Sequence, residues 1–398
     1  MVQIWKCPLK QPFLSSVEVI LSSPISLLKT LLTGALVFIA EPEQISLPLA
    51  GGYVSLSLDG QPIEFSLDTG GARSLVLFGP WFEWIHGYGS CQRSFFGCYF
   101  CPRDKPCGDI FSRRVWTVLY GGIESYSYVE HSVTLGIGNH EVRDVKFGLI
   151  VDYKGGYGQF PMPILGLSLG RANIPETFLE QLKRQQVIDS LSYSIYASAL
   201  GDGITGILTL EDSVPTSVAY IGFSRKSSCH SDGKISASLS PLGLFDSHGK
   251  KLTKRHDSAT NEPALVDAGA SSLYIPPKEF ENIINVTWKT LRRERASFNI
   301  TKKSDLMCES AWTKMLRRDV VPYLPTLGYT IGDEPRTMSI RIEPKHYIHS
   351  CDSHCCRMDI DPDNVGITLL GHPFFRAYDV RFDLTNKRLY FSDNGESS

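Results

Sequence analysis

Two short motifs, one in each half of the chain, constrain its fold more than any other feature. Residues 65–70 read FSLDTG and residues 265–269 read LVDAG, so each apolar segment ends in Asp, a small residue and Gly. The Gly tolerates backbone geometry that a side chain would forbid, so each motif predicts a carboxylate on a tight turn after a strand. A single Asp-X-Gly is common in ordinary turns. Two of them in corresponding places predict two turns that meet across an approximate two-fold axis.

A second pair of motifs supports this internal repeat. Residues 164–166 read ILG and follow Asp68, and residues 369–371 read LLG and follow Asp267 at a similar distance along the chain. We therefore interpret the chain as two repeats, each of which supplies one carboxylate at a strand-to-turn junction.

Alternation of apolar and polar residues predicts that short strands predominate. Apolar residues alternate with serines at 54–58, and the alternation resumes at 63–67. Similar runs occur at 115–120, 145–151, 192–196, 207–210, 338–342 and 388–391. Only residues 175–188 and 277–291 show the apolar stripe of an amphipathic helix.

The charge balance argues against two classes of partner. The formal net charge is -2, which gives no electrostatic reason to expect binding to nucleic acid or to an anionic membrane. The hydrophobic fraction of 42% is that of a globular chain rather than a disordered one.

The N-terminal segment and the sequons indicate a secretory route. Lys6, Lys10 and Lys29 precede an apolar run at 30–40, which suits the core of a signal peptide and is too short to span a bilayer. We therefore expect residues 1–40 to be a signal peptide or an N-terminal anchor. Sequons at 285–287 and 299–301 fit a glycoprotein, although such triplets also arise by chance.

Ten cysteines are many for a cytosolic protein. Four lie close together, at Cys91, Cys98, Cys101 and Cys107. They could hold zinc, but in an oxidising compartment we expect two local disulfides instead.

Two carboxylates on facing turns have a defined chemistry. At a separation of about 3 Å they cannot both ionise, so they share one proton. Such a pair can hold a water molecule, with one Asp as base toward the water and the other as acid toward a carbonyl. The arrangement therefore suits direct hydrolysis of a peptide bond without a covalent intermediate.

From about residue 50 to 392 the sequence resembles the pepsin-like aspartic peptidase family. The resemblance rests on five segments in the family's order. They are the first Asp motif at 65–70, the flap tip at 120–122 (YGG), the segment PILGL at 163–167, the second Asp motif at 264–272, and a C-terminal signature at 369–383.

The resemblance implies an all-β, bilobed fold with two related β lobes, a few short helices and a central cleft. We expect the N-terminal lobe at about 45–196 and the C-terminal lobe at 197–393. The implied activity is that of an aspartic-type endopeptidase that needs no cofactor and no metal. The implied partner is a peptide or protein substrate bound in an extended conformation. We expect a monomer, soluble after signal removal, that is secreted or held in an acidic vacuole or lysosome-like compartment.

The resemblance also assigns roles to individual residues. Asp68 and Asp267 would be catalytic. The substrate-binding residues would be Tyr120, Gly121, Gly122, Gly70 and Gly269, and the residues that support the active site would be Thr69, Gly71, Ala268 and Ala270.

Two disulfide assignments follow from the family. The segment with the four clustered cysteines resembles the cysteine-rich insert of nepenthesin-type aspartic peptidases. In the second lobe, Cys308 and Cys351 flank a segment where the family usually places one disulfide, and Cys355 or Cys356 could replace Cys351 in it.

Four residues depart from the family pattern. Ala268 replaces a Thr or Ser of the hydrogen-bonded grip between lobes, and Leu75 replaces a Trp that normally meets the flap Tyr. Gly71 and Ala270 stand where Ser and Thr usually donate hydroxyls to the two carboxylates. A lost donor raises a carboxylate's pKa, so we expect activity at mildly acidic to near-neutral pH.

Two other functions fit parts of the sequence. The departures would also suit a pepsin-like protein that binds peptides or partners without cutting them. Residues 166–170 (GLSLG) match a nucleophile elbow, and Ser168, Asp267 and His372 follow the order of a serine hydrolase triad. That fold needs alternating strands and helices, whereas the first 160 residues predict almost no helix.

Overall fold

The computed structural model describes residues 44–120, 124–156, 159–170, 176–212, 219–224, 234–253, 261–294, 300–310, 314–362 and 367–394. Several sequence predictions fall outside these ranges. They concern the signal peptide or anchor at 1–40, the flap residues Gly121 and Gly122, and the sequon at Asn299.

Strands form most of the described chain. The first thirteen are β1 (Ile45–Ala50), β2 (Tyr53–Leu58), β3 (Gln61–Asp68), β4 (Leu75–Leu77), β5 (Trp116–Tyr120), β6 (Glu124–Ile137), β7 (His140–Lys154), β8 (Ile164–Gly166), β9 (Ser192–Ala197), β10 (Gly206–Leu210), β11 (Ile221–Gly222), β12 (Ser236–Leu239) and β13 (Gly243–Phe245). The next twelve are β14 (Glu262–Val266), β15 (Leu273–Ile275), β16 (Met307–Cys308), β17 (Met315–Arg317), β18 (Thr326–Asp333), β19 (Arg336–Ile342), β20 (Ile348–His349), β21 (Cys355–Met358), β22 (Ile360–Pro362), β23 (Thr368–Leu370), β24 (Tyr378–Asp383) and β25 (Arg388–Asp393). The predicted all-β, bilobed pepsin-like fold is confirmed.

The helices are short, with one exception. They are α1 (Gly79–His86), α2 (Ser90–Arg93), α3 (Phe178–Arg184), α4 (Pro277–Glu294), α5 (Pro344–Tyr347) and α6 (His372–Ala377). Short 3-10 turns occur at Ile110–Ser112, Lys303–Leu306 and Arg318–Tyr323. None of the described helices is long and apolar enough to cross a membrane.

Both predicted helices exist, with different ends. The helix predicted over 175–188 is shorter, because Thr177 and Glu180 form a capping box that fixes its start, and Gln186 has a positive φ of 59° after its end. The helix predicted over 277–291 runs on to Glu294. The prediction missed α1, whose eight residues include four large aromatic or histidine side chains with modest helix propensity.

The strands belong to three sheets. A 13-stranded sheet runs in the order β11-β25-β24-β9-β10-β1-β2-β3-β8-β4-β7-β6-β5. An eight-stranded sheet contains β13-β18-β12-β14-β23-β15-β22, with β19 on β18, and a four-stranded sheet contains β16-β17-β21-β20. The first sheet joins strands from the middle of the chain to the last two strands.

The internal repeat is visible in the strand pairing. In the first half, β3 pairs in parallel with β8, which pairs in antiparallel fashion with β4. In the second half, β14 pairs in parallel with β23, which pairs in antiparallel fashion with β15. Each Asp motif therefore lies at the end of one strand of a parallel pair, and the ILG or LLG motif forms the other strand of that pair.

Burial explains why these strands hold their register. Ile63, Phe65 and Leu67 of β3 are fully buried, and in β14 the side chains from Ala264 to Val266 are buried on both faces. A one-residue slip of β3 would move its apolar set to the opposite face. The position of each Asp at the strand end is thus fixed by the core behind it.

The eight described cysteines form four disulfides. In the insert, Cys91 pairs with Cys98 and Cys101 with Cys107, which is the disulfide arrangement rather than the zinc one. In the second half, Cys308 pairs with Cys355, so Cys355 takes the place that Cys351 could have filled. Cys351 pairs instead with Cys356.

Candidate active site

Asp68 stands at the end of β3, on the first of the two turns. Its backbone C=O accepts a hydrogen bond from Leu167 N–H at 2.8 Å, just beyond β8. The Ser168 N–H donates to Gly71 C=O at 2.9 Å, which closes the turn from the other side. The turn is therefore held by the segment that follows the ILG motif.

Asp267 occupies the matching place at the end of β14. Its N–H donates to Leu370 C=O at 3.1 Å, and His372 N–H donates to Ala270 C=O at 2.9 Å. The second turn is thus held by the LLG motif and the start of α6, as the first is held by its own partner segment.

The two turns face each other at close range. A Cβ added at Gly70 would lie 2.5 Å from Asp267 Oδ2, so no side chain fits there while the carboxylate keeps its position. A Cβ added at Gly269 would lie 3.3 Å from Asp68 Oδ1. The two carboxyl groups are close enough for each to shift the pKa of the other. The structure therefore brings together Asp68, Asp267, Gly70 and Gly269.

Backbone N–H groups also hold each carboxyl. Gly71 N–H donates to Asp68 Oδ1 at 2.6 Å, and Gly269 N–H donates to Asp267 Oδ1 at 2.9 Å. A Cβ at position 71 would lie 2.1 Å from Asp68 Oδ2, so the carboxyl occupies the space that a serine side chain would need. Gly71 therefore does more than remove a hydroxyl donor. Because it has no side chain, the Asp68 carboxyl can occupy this position.

The grip between the turns is one-sided. Thr69, which is fully buried, accepts a hydrogen bond on Oγ1 from Ala268 N–H at 2.9 Å and donates to Val266 C=O at 2.8 Å. Ala268 is also buried and, having no hydroxyl, returns neither bond. A net hydrogen bond contributes about 1 kcal/mol, so the loss weakens the grip without removing it.

Burial and mutual repulsion set the protonation of the pair. Burial raises the pKa of Asp68 above its ordinary value, and the charge of Asp267 raises it further. Burial also raises the pKa of Asp267, against the opposing effect of the Gly269 N–H and the positive charge of Lys234. The direction agrees with the expectation from missing hydroxyls, but the largest cause is burial. The pair therefore holds a proton at a pH where an exposed aspartate would have lost it.

A model of the eukaryotic aspartyl protease family matches residues 112–394. The match covers more than half of the chain and includes the turn with Asp267, whereas Asp68 lies before its start.

The chain belongs to the eukaryotic aspartyl protease family.

One solved structure extends the likeness over the first half. The aspartic proteinase from Irpex lacteus aligns with 88% of this chain and 98% of its own chain, with a TM-score of 0.60 and 15% sequence identity. That likeness shows the fold. No curated protein matches the sequence.

Tyr120, which the family resemblance places at the flap, is the last residue of β5. The ring of Tyr120 meets Tyr126 edge-on at 5.4 Å, and its hydroxyl is buried with no hydrogen-bond partner among the described residues. Burial raises the pKa of Tyr120 well above its usual value, with a further contribution from the charge of Asp68. Leu75 is fully buried in the core and offers no polar group to this tyrosine.

Sequence reasoning missed Lys234 beside the pair, and it named His372 only as part of a serine hydrolase triad. Lys234 lies just before β12, and its charge lowers the pKa of both Asp68 and Asp267. His372 is buried, and its Nε2 lies 3.1 Å from Ala268 C=O. The sequence alone could not place Lys234 near the pair, because its position follows from the pairing of β12 with β14.

The other catalytic arrangements are not assembled. The hydroxyl of Ser168 is buried without a hydrogen-bond partner in the described chain, so it is not paired with His372 as a serine nucleophile would be. No three His, Cys, Asp or Glu side chains of the described residues gather in a group that could hold a metal ion.

The missing hydroxyl at position 270 gives a test of how the pair is tuned. In an Ala270→Thr variant we expect the added hydroxyl to donate to Asp267 and to stabilise its ionised form. A bond of about 1 kcal/mol corresponds to about 0.7 pH units, so both limbs of kcat/KM against pH should move down by that amount. Ala270→Val adds similar volume without a donor and should leave the limbs in place. Equal shifts in both variants would contradict the argument.

Proposed function

We propose that this protein is an aspartic endopeptidase in which Asp68 and Asp267 activate a water molecule for attack on a peptide bond. The observation that carries the proposal is the pair of buried, facing carboxyl groups, each at the end of a strand and each held by a backbone N–H. Their raised pKa values support a singly protonated pair over a range of pH.

The mechanism follows from that single proton. The ionised member takes a proton from the water, and the protonated member donates to the carbonyl oxygen as the tetrahedral centre forms. No residue of the chain becomes covalently attached to the substrate. Tyr120 at the end of β5 supports binding of an extended peptide, since its buried hydroxyl has no partner among the described residues and can donate to substrate.

The four disulfides support a secretory location, because such bonds persist in oxidising compartments. We propose a secreted or vacuolar enzyme on that basis. Glycosylation at Asn285 is part of the same proposal, although the sequon lies within α4 and its Thr287 is fully buried.

A second candidate function is peptide binding without cleavage. The one-sided grip favours it, since Ala268 has no hydroxyl to return the hydrogen bonds that Thr69 makes to the second turn. The two candidates differ in turnover and not in affinity.

One experiment separates them. The purified protein is incubated with a mixed peptide pool from acidic to neutral pH, with and without a statine-type inhibitor, and products are identified by mass spectrometry. We expect cleavage within peptides that the inhibitor blocks. Tight binding of the inhibitor without any cleavage would favour the binding protein, and cleavage that a serine-directed reagent blocks instead would contradict both.

A further inference from the structure

The strand register places Lys234 beside Asp267. Strand β12 pairs in antiparallel fashion with β14, with Ser236 opposite Leu265. The Val266 N–H donates to Ile235 C=O at 3.0 Å, which continues the pairing one residue beyond β12. Continued by one more residue, the same register would set Lys234, at a bend just before β12, opposite Asp267. Directly opposed residues of antiparallel strands project on the same face, with Cβ atoms about 4.5–5.5 Å apart.

The ammonium group lies near both carboxyls without contacting either. The positive charge of Lys234 acts on Asp68 and on Asp267, so it lies within electrostatic reach of both turns. Among the main influences on the two pKa values, Lys234 is the cation that acts on both carboxyls. Lys234 is half-buried, and no ion pair joins it to a carboxylate of the described residues. Its three N–H donors are therefore available to another anion.

A bound peptide would bring such an anion close. A peptide lying extended over the pair presents successive side chains to opposite sides. The singly protonated pair carries one negative charge, which repels an acidic side chain near the scissile bond. A lysine ammonium on the same face attracts an acidic side chain and so opposes this repulsion.

We propose that Lys234 is a specificity-determining residue that selects substrates with an Asp or Glu side chain within two positions of the scissile bond. This inference rests on the proposed peptidase function. It adds a preference that the catalytic pair alone would oppose.

The test uses matched peptides that differ only by Glu or Gln at one position near the cleaved bond. At a pH above about 5, where a substrate glutamate is ionised, we expect wild type to cleave the Glu peptide with at least tenfold higher kcat/KM at one of these positions. Lys234→Gln should abolish the preference, and Lys234→Arg should retain it. Lys278→Gln, which removes an exposed lysine at the start of α4, should leave it unchanged.

Two further readouts separate a charge effect from a structural one. The Glu preference of wild type should shrink as salt is raised, because added ions screen exposed charges. For Lys234→Gln the readout is the ratio of kcat/KM between the Glu and Gln peptides, because loss of this charge also raises the pKa of Asp68 and Asp267 and so changes cleavage of both peptides alike. A wild type without Glu preference, or a preference that persists in Lys234→Gln, would overturn the proposal.

The same comparison works if the protein cleaves nothing. Statine-containing peptides with Glu or Gln beside the statine are then titrated against each variant by calorimetry. Absence of cleavage contradicts the proposed function alone, whereas a Glu to Gln affinity ratio that Lys234→Gln leaves unchanged contradicts the role of Lys234. Absence of binding by every peptide contradicts both.

Discussion

Asp68→Asn and Asp267→Asn should each lower kcat/KM by at least about a thousandfold. Each change removes one member of the proton-sharing pair, so the remaining carboxyl can act as base or as acid but cannot alternate with a partner. The amide keeps the size of the carboxyl, and the subsites elsewhere in the cleft are untouched. The measurement is kcat/KM on a peptide found in the pool experiment.

The stability of these variants provides an independent check. The folded-state pKa of Asp68 is raised. Below the unfolded pKa this shift gives its full contribution to the stability of the folded state. That contribution is lost as pH rises through the folded pKa. An uncharged Asn avoids this loss, so at neutral pH the variants should melt at or above the wild-type Tm. Asp104→Asn, at an exposed position in the insert, should change neither activity nor Tm. Near-normal cleavage by either active-site variant would contradict the assignment of Asp68 and Asp267 as the catalytic pair.

Two buried histidines should make the protein lose stability as the solution is acidified. His346 is 7% exposed and His372 is 9% exposed, and burial lowers the pKa of each to about 4. In both, a folded pKa below the unfolded value means that the unfolded chain binds the proton first. The stabilising effect of the neutral rings is complete above about pH 6.5 and declines toward pH 4. Acidification from about pH 6.5 to about pH 4 should therefore lower the free energy of unfolding by about 3 kcal/mol for each histidine.

The corresponding measurement is the free energy of unfolding at several pH values between neutrality and pH 4. The combined decrease for the two histidines is a large fraction of a typical total stability of about 5–15 kcal/mol. His346→Gln combined with His372→Gln should flatten the decline, and His248→Gln, at an exposed loop position, should not. Asp68 and Asp267 act in the opposite direction, since their raised pKa values favour the folded state as pH falls. A decline that is identical in wild type and the double variant would remove the histidines as its cause.

The parts of the fold that the sequence predicts are those with local periodicity. The alternation at 63–67 predicts β3, and the apolar stripe at 277–291 predicts most of α4, because burial selects those patterns directly. The repeat of Asp-X-Gly also predicts that two turns meet. Each of these signals comes from residues that are close together in the sequence, within one element or within each of two short motifs.

The rest depends on pairing between distant segments. The neighbourhood of Lys234 follows from the register of β12 on β14, and the choice of Cys355 over Cys351 follows from how β21 lies against β17. Neither register leaves a periodic signal. Asp68 occupies the space that a side chain at position 71 would need, which residue type alone does not determine. Sequence reasoning attributed the tuning of the pair to absent hydroxyls, whereas the structure adds burial as the larger cause.

The 13-stranded sheet has a consequence for how the nascent chain folds on the ribosome. Strand β9 lies between β10 and β24, so one of its edges stays unpaired until residues 378–383 have been synthesised. The last strand, β25, then pairs with β24, and Asn394 N–H donates to Ala377 C=O at 3.0 Å just beyond it. An unpaired strand edge is a template for wrong partners. The completed first half of the polypeptide therefore has to be protected during the time that its second half takes to emerge.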